Sequence, residues 1–362
     1  MYKKALEVLK IFNDRGYFAY IVGGYPRDTL LGIKTKDIDI CTNAKPKDIR
    51  DIFETVAVEN DKYGSVRVIY KKVSFDITTF RKDIKYEDNR KPVKIKYIND
   101  LKKDLLRRDF TINTICIDKD GNYLDLLEVK EDIDKRVIKT VGNPRYRIKE
   151  DSLRILRAIR FSVLLDFSID EKTKNYIIKY GYLLNNLSNF RKREELDKIF
   201  SAKDKERGRR LILDYKLDKY LGLKNLSEIV MCDDILGIWS QLDLDVDYPF
   251  TKVEKSMIKN IRLMLDEPIN RLSIYNYGLY IATVVGSIRG VIYQKINKIY
   301  KDLAIYSPKD IKIEWHDVCS LLNIKPDERM KDVFNDIEKS IVIGELKNEY
   351  EEIKKYIVEK YK

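Results

Sequence analysis

One histidine, His316, is all the imidazole in this sequence. That scarcity argues against a histidine-centred metal site, a histidine-based triad, and a phosphohydrolase module, which needs several. The four cysteines, Cys41, Cys116, Cys232 and Cys319, lie far apart, so no pair has the spacing of a zinc knuckle or a redox motif. They read as free thiols of an intracellular, cytoplasmic protein. No hydrophobic run reaches the length of a membrane span. Met1-Tyr2-Lys3-Lys4 leads into an amphipathic stretch rather than a signal-length apolar core. No internal repeat or low-complexity tract stands out.

Basic residues are in excess. Lys and Arg number 71 against 59 Asp and Glu, a net +12. Such a balance suits a polyanionic partner, although a basic surface alone also explains it. At 362 residues there is room for two or more domains.

The periodicity changes along the chain. Residues 1–15 carry Ala5, Leu6, Leu9, Ile11 and Phe12 roughly on one side of a helix that Gly16 stops. Strands are expected over 17–22, 36–42, 65–70 and 74–81, with short helices at 27–31 and 47–53. Lys71-Lys72 is a poor hairpin sequence, which weakens the case for pairing the last two strands. Residues 82–100, polar and proline-bearing, read as a mobile loop. A helix or turn is expected to begin within 107–114. Ile115–Ile117 and Tyr123–Leu126 bracket a Gly121-Asn122 turn. Beyond about residue 140 helical periodicity dominates. The fold class is therefore α+β, an N-terminal mixed unit followed by helices.

Chemistry concentrates in ordered blocks. Gly23-Gly24-Tyr25-Pro26-Arg27-Asp28 precedes Asp37-Ile38-Asp39. Residues two apart on a strand share a face, so two carboxylates stand side by side and call for a cation, with Mg²⁺ the natural candidate. Gly23 and Gly24 permit close backbone approach to phosphate, and Arg27 can clamp it. Asp76 alternates with Phe75 and Ile77, and a neighbouring strand would bring it to the same metals, as a ligand or a proton acceptor. In Arg107-Arg108-Asp109-Phe110-Thr111-Ile112-Asn113, the arginines suit a triphosphate, and Asp109 and Asn113 could fix the arginines or a sugar. Each block taken alone also reads as an ordinary turn, strand face or charged helix start.

Asp151, Arg154, Arg157 and Arg160 fall three apart on one helix row. A salt-bridged helix face is the plain explanation. The sharper one is base reading. Cytosine and adenine both present an amino donor beside a ring-nitrogen acceptor, and uracil and guanine present the reverse. An Asp accepting from the amino group and an Arg donating to the ring nitrogen would select C and A. A wrong base would leave a charged group unpaired, at about 1–3 kcal/mol per contact.

Five ordered blocks together resemble class II tRNA nucleotidyltransferases, the CCA-adding enzymes of the polymerase-β-like superfamily. They are residues 23–32 with 37–40, then 75–81, 107–113, 141–161 and, more loosely, 189–196; residues 317–355 match weakly. The resemblance implies that Asp37 and Asp39 hold Mg²⁺ in a two-metal site. Gly24, Arg27 and Arg108 would contact the incoming CTP or ATP. Asp151, Arg154, Arg157 and Arg160 would form the nucleotide site, with Asp151 and Arg154 reading the base. It also implies a catalytic head (1–140), a base-recognising neck (141–200), a body (201–255) and a tail (256–362) holding the tRNA acceptor arm, as a monomer or homodimer. Pro26 where valine is usual, Asp76 where Glu is common, and Thr114 in place of alanine depart from the pattern, and none removes a catalytic group.

Two segments bear on the product. Lys62-Tyr63-Gly64-Ser65-Val66-Arg67-Val68 lacks the arginine-rich character of bacterial poly(A) polymerases. Asp88-Asn89-Arg90-Lys91-Pro92 supplies the loop that CC-adding enzymes lack in part. Full CCA addition is expected; an A-adding or CC-adding partial enzyme, a bacterial poly(A) polymerase and a catalytically inactive RNA-binding relative stay open. Arg191-Lys192-Arg193 and Lys203–Arg210 are expected to follow the tRNA backbone, unless they are solvated helix faces.

Overall fold

A computed structural model describes residues 1–35, 37–53, 56–60, 64–87, 91–324 and 328–362. The Lys62-Tyr63 and Asp88–Arg90 parts of the product-specifying segments lie outside the described residues. The chain forms two compact units, Met1–Ser227 with Leu244–Tyr248, and Glu228–Asp243 with Pro249–Lys362.

The first unit opens with α1 (Tyr2–Asp14), β1 (Ala19–Val22), α2 (Gly24–Leu30), β2 (Asp39–Thr42), α3 (Pro46–Ile52), β3 (Val56–Asn60), β4 (Ser65–Tyr70) and β5 (Val73–Thr79). After them come β6 (Arg81–Glu87), β7 (Lys91–Tyr97), α4 (Leu101–Leu106), β8 (Cys116–Ile117) and β9 (Tyr123–Leu124). Seven strands make one mixed sheet in the order β3-β4-β5-β2-β1-β8-β9. The β2–β5 pair is parallel and its neighbours are antiparallel. This is the expected α+β head.

Strand alternation decides which face does what. Ile21, Ile38, Ile40, Val66, Val68, Phe75 and Ile77 point into one core, covered by Ala5, Val8, Leu9 and Phe12 of α1. Those four helix positions recur at three- and four-residue steps, as one apolar stripe requires. Fully buried Phe12 stacks edge-on against Phe53, and Phe12→Ala would cost about 3–5 kcal/mol. The opposite face carries Val22 and Cys41, covered by Leu101 and Leu105 of α4. Beside that smaller core the same face presents Asp39, Asp76 and Arg67, aligned across β2, β5 and β4.

The structure corrects several local expectations. Asp37 precedes β2 rather than lying in it, although the exposed–buried alternation runs unbroken from Asp37 to Ile40. Within the expected loop, Arg81–Glu87 and Lys91–Tyr97 pair as antiparallel strands. The period-two alternation of Val93, Ile95 and Tyr97 with lysines carries that strand signal, which the charge and Pro92 obscured. Of the helix or turn expected to begin within 107–114, the structure has the turn, a 3₁₀ turn over Thr111–Asn113, after a helix that ends at Leu106. Lys71-Lys72 does close a hairpin, with φ of 47° and 65°. Both values lie in the left-handed region that a type I′ turn demands. Lys4 Nζ donates to the Lys71 carbonyl at 2.8 Å, and Lys71 Nζ to Glu7 at 2.7 Å. These anchors hold a turn that the sequence disfavours.

The unit continues through α5 (Lys130–Asp134), β10 (Val137–Ile138), α6 (Pro144–Glu150), α7 (Leu153–Leu165), β11 (Ser168–Ile169), α8 (Glu171–Tyr180), α9 (Asn189–Phe200), α10 (Lys205–Asp214) and α11 (Asp218–Leu221). β10 and β11 pair in parallel, the one sheet element among these helices in the described residues. Lys192 of α9 is 3% exposed and donates to the Tyr220 carbonyl, so it belongs to the interior, not to a backbone-tracking surface. Arg207 is likewise spent on Asp166, Ser162 and the Phe167 carbonyl.

The second unit is helical: α12 (Ile235–Gln241), α13 (Lys252–Leu265), α14 (Arg271–Ile288), α15 (Tyr293–Lys301), α16 (Trp315–Leu322), α17 (Glu328–Ile343) and α18 (Tyr350–Tyr361). α14 kinks at Gly278, whose φ of 81° interrupts the helix. Among the described residues no helix is long and apolar enough to cross a membrane.

Candidate active site

Asp39 begins β2 opposite Val22 on one side and Asp76 on the other. Its carboxylate closes against the turn that leaves β1. Gly23 there has φ of 82°, and a Cβ on it would stand 3.1 Å from Asp39 Oδ2. A side chain is excluded both by the backbone conformation and by the carboxylate. Gly24 opens α2, where a Cβ would meet Arg27 Nη2 at 3.3 Å.

Among the described residues neither Asp37 nor Asp39 has a hydrogen-bond or ion-pair partner. Surrounding protein withdraws water from Asp39 and raises its carboxyl above the usual value. Arg108 opposes that shift, while Asp76 and Asp37 add to it by repulsion. Uncompensated oxygen donors of one sign fit a hard divalent cation. The described residues bring no third free ligand to the pair. Asp76 lies next in the ladder but is engaged: Arg67 donates to both of its oxygens, at 2.6 and 2.8 Å.

Arg27 is 6% exposed and already held. Its Nε and Nη2 donate to Asp28 at 2.8 and 2.6 Å, and its Nη1 to Asn113 Oδ1 at 2.5 Å. Asn113 in turn donates to Asp109 at 3.1 Å, and Asp109 accepts from Arg157 Nε at 2.8 Å. The sequence blocks at 27, 109–113 and 157 are thus one hydrogen-bonded chain. Burial by itself would raise Asp109, but Arg157, Asn113 and the Phe110 amide hold it well below the carboxylate range. Arg108 is pulled up by the Asp104 carboxylate against the opposing effect of burial. Its Nε is buried without a partner.

The row on α7 is fastened residue by residue. Arg154 donates to the carbonyls of Arg147 and Arg107, at 2.7 and 3.2 Å, and to Glu150 at 3.1 Å. Arg157 meets Asp109, and Arg160 meets Glu195 of α9 at 2.8 Å. Asp151 sits between α6 and α7, accepting from the Leu153 amide at 3.0 Å. Burial raises its carboxyl, with Arg154 pulling the other way.

Three carboxylates escaped the sequence reading of the site. Fully buried Asp104 accepts from Arg107, Arg108 and the Arg81 amide. Its position three and four residues before two arginines on a helix was the available signal. Glu150 braces Arg147 and Arg154, and Glu195 braces Arg160. Arg67 was also missed as a partner of Asp76, because cross-strand register is invisible without the pairing.

Residues 19–139 match the family model of the poly A polymerase head domain. Residues 166–226 match the probable RNA- and SrmB-binding site of polymerase A, and 244–357 a putative tRNA nucleotidyltransferase domain 2. A CCA-adding enzyme of Ligilactobacillus salivarius is 32% identical, covering 97% of this chain and 94% of that protein. The chain belongs to the CCA-adding enzymes. Another member, from Streptococcus agalactiae, is 31% identical over 98% of this chain and 96% of its own. The crystal structure of the Bacillus stearothermophilus CCA-adding enzyme in complex with CTP superposes with a TM-score of 0.88 at 27% identity, covering 99% of this chain and 97% of that one. A Thermotoga maritima CCA-adding enzyme complexed with tRNA shares the fold, with a TM-score of 0.71 at 21% identity over 99% of this chain and 94% of that one. The blocks that carried the resemblance in the sequence fall in the first unit, where hydrogen bonds join them.

Proposed function

We propose that this chain adds CCA to the 3′ end of tRNA from CTP and ATP, releasing pyrophosphate. The observation that carries the proposal is the union, in one unit, of an uncompensated Asp37/Asp39 pair with the braced row Asp151, Arg154, Arg157 and Arg160. Near-full-length relatives that are CCA-adding enzymes support it.

Asp37 and Asp39 are the residues that would hold Mg²⁺. When bound, the ion supplies charge neutralisation at the phosphates and a more acidic primer hydroxyl. Gly23 and Gly24 let the phosphates approach the backbone at the start of α2. Arg27 and Arg108 balance charge building on the phosphates as the primer 3′-oxygen attacks the α-phosphate and the bond to the β-phosphate breaks. Asp109 and Asn113 keep Arg157 and Arg27 in place. Asp76 stands where a third carboxylate could orient the attacking hydroxyl, once it shares or releases Arg67. Asp151 accepts from the amino group of C or A, and Arg154 donates to the adjacent ring nitrogen. The two carbonyls and Glu150 on Arg154 keep that donor from following a wrong base.

The division into a head, neck, body and tail at 140, 200 and 255 belongs to the same proposal. So do tRNA acceptor-arm binding along the helices and a cytoplasmic location. A poly(A) polymerase is the second reading, because the head model bears that name. Incubating the protein with tRNA lacking CCA, plus CTP and ATP, and sequencing the products separates them. CCA ends support the proposal. Long A tracts, CC alone, or A added only to pre-formed CC would each replace it.

A further inference from the structure

Phe161 ends the Arg154–Arg160 row, and its ring is shared by three arginines. The guanidinium carbons of Arg27, Arg157 and Arg160 lie 5.3, 5.3 and 4.5 Å from its centroid. Arg27 comes from α2, and the other two from α7. The ring is 9% exposed and meets Phe110 edge-on at 5.8 Å, which fixes its plane.

Three cations around one small volume repel one another. Arg160 shows it: burial, then Arg157 and Arg27, depress its guanidinium against the pull of Glu195. The carboxylates Asp28, Asp109 and Glu195 each neutralise one arginine from outside the cluster. Arg160 Nε and Glu195 Oε2 are nevertheless buried without partners, so the cluster is incompletely satisfied. At its centre the only electron-rich group these contacts identify is the face of Phe161. An aromatic face attracts cations through its quadrupole, and more so when water is withdrawn.

We propose that Phe161 is a positioning residue that stands in for an anion, keeping Arg27, Arg157 and Arg160 gathered and aimed for the oligophosphate of the incoming nucleotide. This rests on the nucleotidyl-transfer reading of the site and adds the group that preorganises it. The arginines these contacts place over the ring are Arg27, Arg157 and Arg160, all assigned to the phosphates, so its effect is expected to be common to CTP and ATP.

The test compares Phe161→Leu, which keeps bulk but loses the quadrupole, with Phe161→Tyr, which keeps the π face. Binding of sodium tripolyphosphate and of CTP is measured calorimetrically without tRNA, so that no chemistry is required. Phe161→Leu is expected to weaken both by about tenfold, and Phe161→Tyr to stay close to wild type. The CTP-to-UTP ratio of kcat/KM is expected to be unchanged. Circular dichroism and Tm report folding, and Phe161→Met serves as the quadrupole-free variant should Phe161→Leu not fold. Undiminished tripolyphosphate binding in the leucine or methionine variant overturns the proposal, as does a tyrosine variant as weak as leucine, which would mean shape alone matters. If the wild-type protein binds tripolyphosphate in a Phe161-dependent way yet does not extend tRNA, the transfer reading fails and the positioning role stands.

Discussion

Arg67 faces Asp76 directly across the β4–β5 ladder and caps both oxygens of its carboxylate. Asp39 faces the same Asp76 from the other side. One cation therefore steadies a carboxylate that would otherwise swing freely beside a second one. Both partners are about half exposed, so the pair contributes little to stability. Arg67→Ala is expected to leave Tm almost unchanged and to lower kcat for CTP addition about three- to tenfold, a modest loss of orientation. KM for CTP should hold, since Arg67 is bonded to Asp76 rather than placed against the nucleotide. Steady-state kinetics on tRNA lacking CCA checks this. An unchanged kcat would show that Asp76 needs no such support.

Asp109 links the two halves of the site, and its removal should cost both stability and binding. Asp109→Asn leaves Arg157 without its carboxylate. The expected loss is about 2–3 kcal/mol, trimmed by the solvent that Arg157 retains. The sign with pH follows from a depressed folded-state pKa. The stabilisation is complete above the unfolded value near 4 and is lost as pH falls below it toward the folded value. A plot of Tm against pH should therefore fall less steeply below about pH 4 in Asp109→Asn than in wild type.

Asp151 behaves oppositely. Its raised carboxyl takes up a proton at a higher pH than an ordinary aspartate. The charged acceptor disappears on that proton, so discrimination between CTP and UTP should narrow on acidification while the pH is still above 4. Asp151→Asn should show weak discrimination with no such pH dependence. A carboxylate with a raised pKa also opposes folding at neutral pH, so this variant should not be less stable than wild type. The CTP-to-UTP ratio of kcat/KM across pH, beside Tm at pH 7, tests both statements.

Lys72 occupies the left-handed region at φ 65°. Glycine pays no Cβ penalty there, whereas it loses more freedom on folding. Lys72→Gly should therefore raise stability by about 0.5 kcal/mol with activity unchanged. A denaturant melt measures it.

Local chemistry was legible in the sequence, and partnership was not. Gly23-Gly24, Asp37-Ile38-Asp39 and the 151–160 row carry residue types that only a few functions require, and the structure gathers them into one unit. The alternation of Val66 and Val68, and of Phe75 and Ile77, revealed β4 and β5, but nothing local said that Arg67 would land on Asp76. The paired strands β6 and β7 hid behind their charge. Arg191-Lys192-Arg193 looked like a uniform basic face, yet helical rotation turned Lys192 inward. What escaped depends on register and on helix phase relative to a neighbour, which are set by packing across long sequence separations.

The parallel ladder of β2 and β5 makes the site sensitive to arithmetic more than to identity. Asp39 meets Asp76 because Ile40 meets Ile77, Cys41 meets Thr78 and Thr42 meets Thr79. Swapping Ile40 or Ile77 for another apolar residue leaves the count intact. Losing or gaining a single residue between Val73 and Asp76 would turn the third carboxylate into the α1 core and bring Phe75 or its neighbour to the phosphate side. Lineages of this protein should therefore drift in composition along β5 while its length there stays frozen.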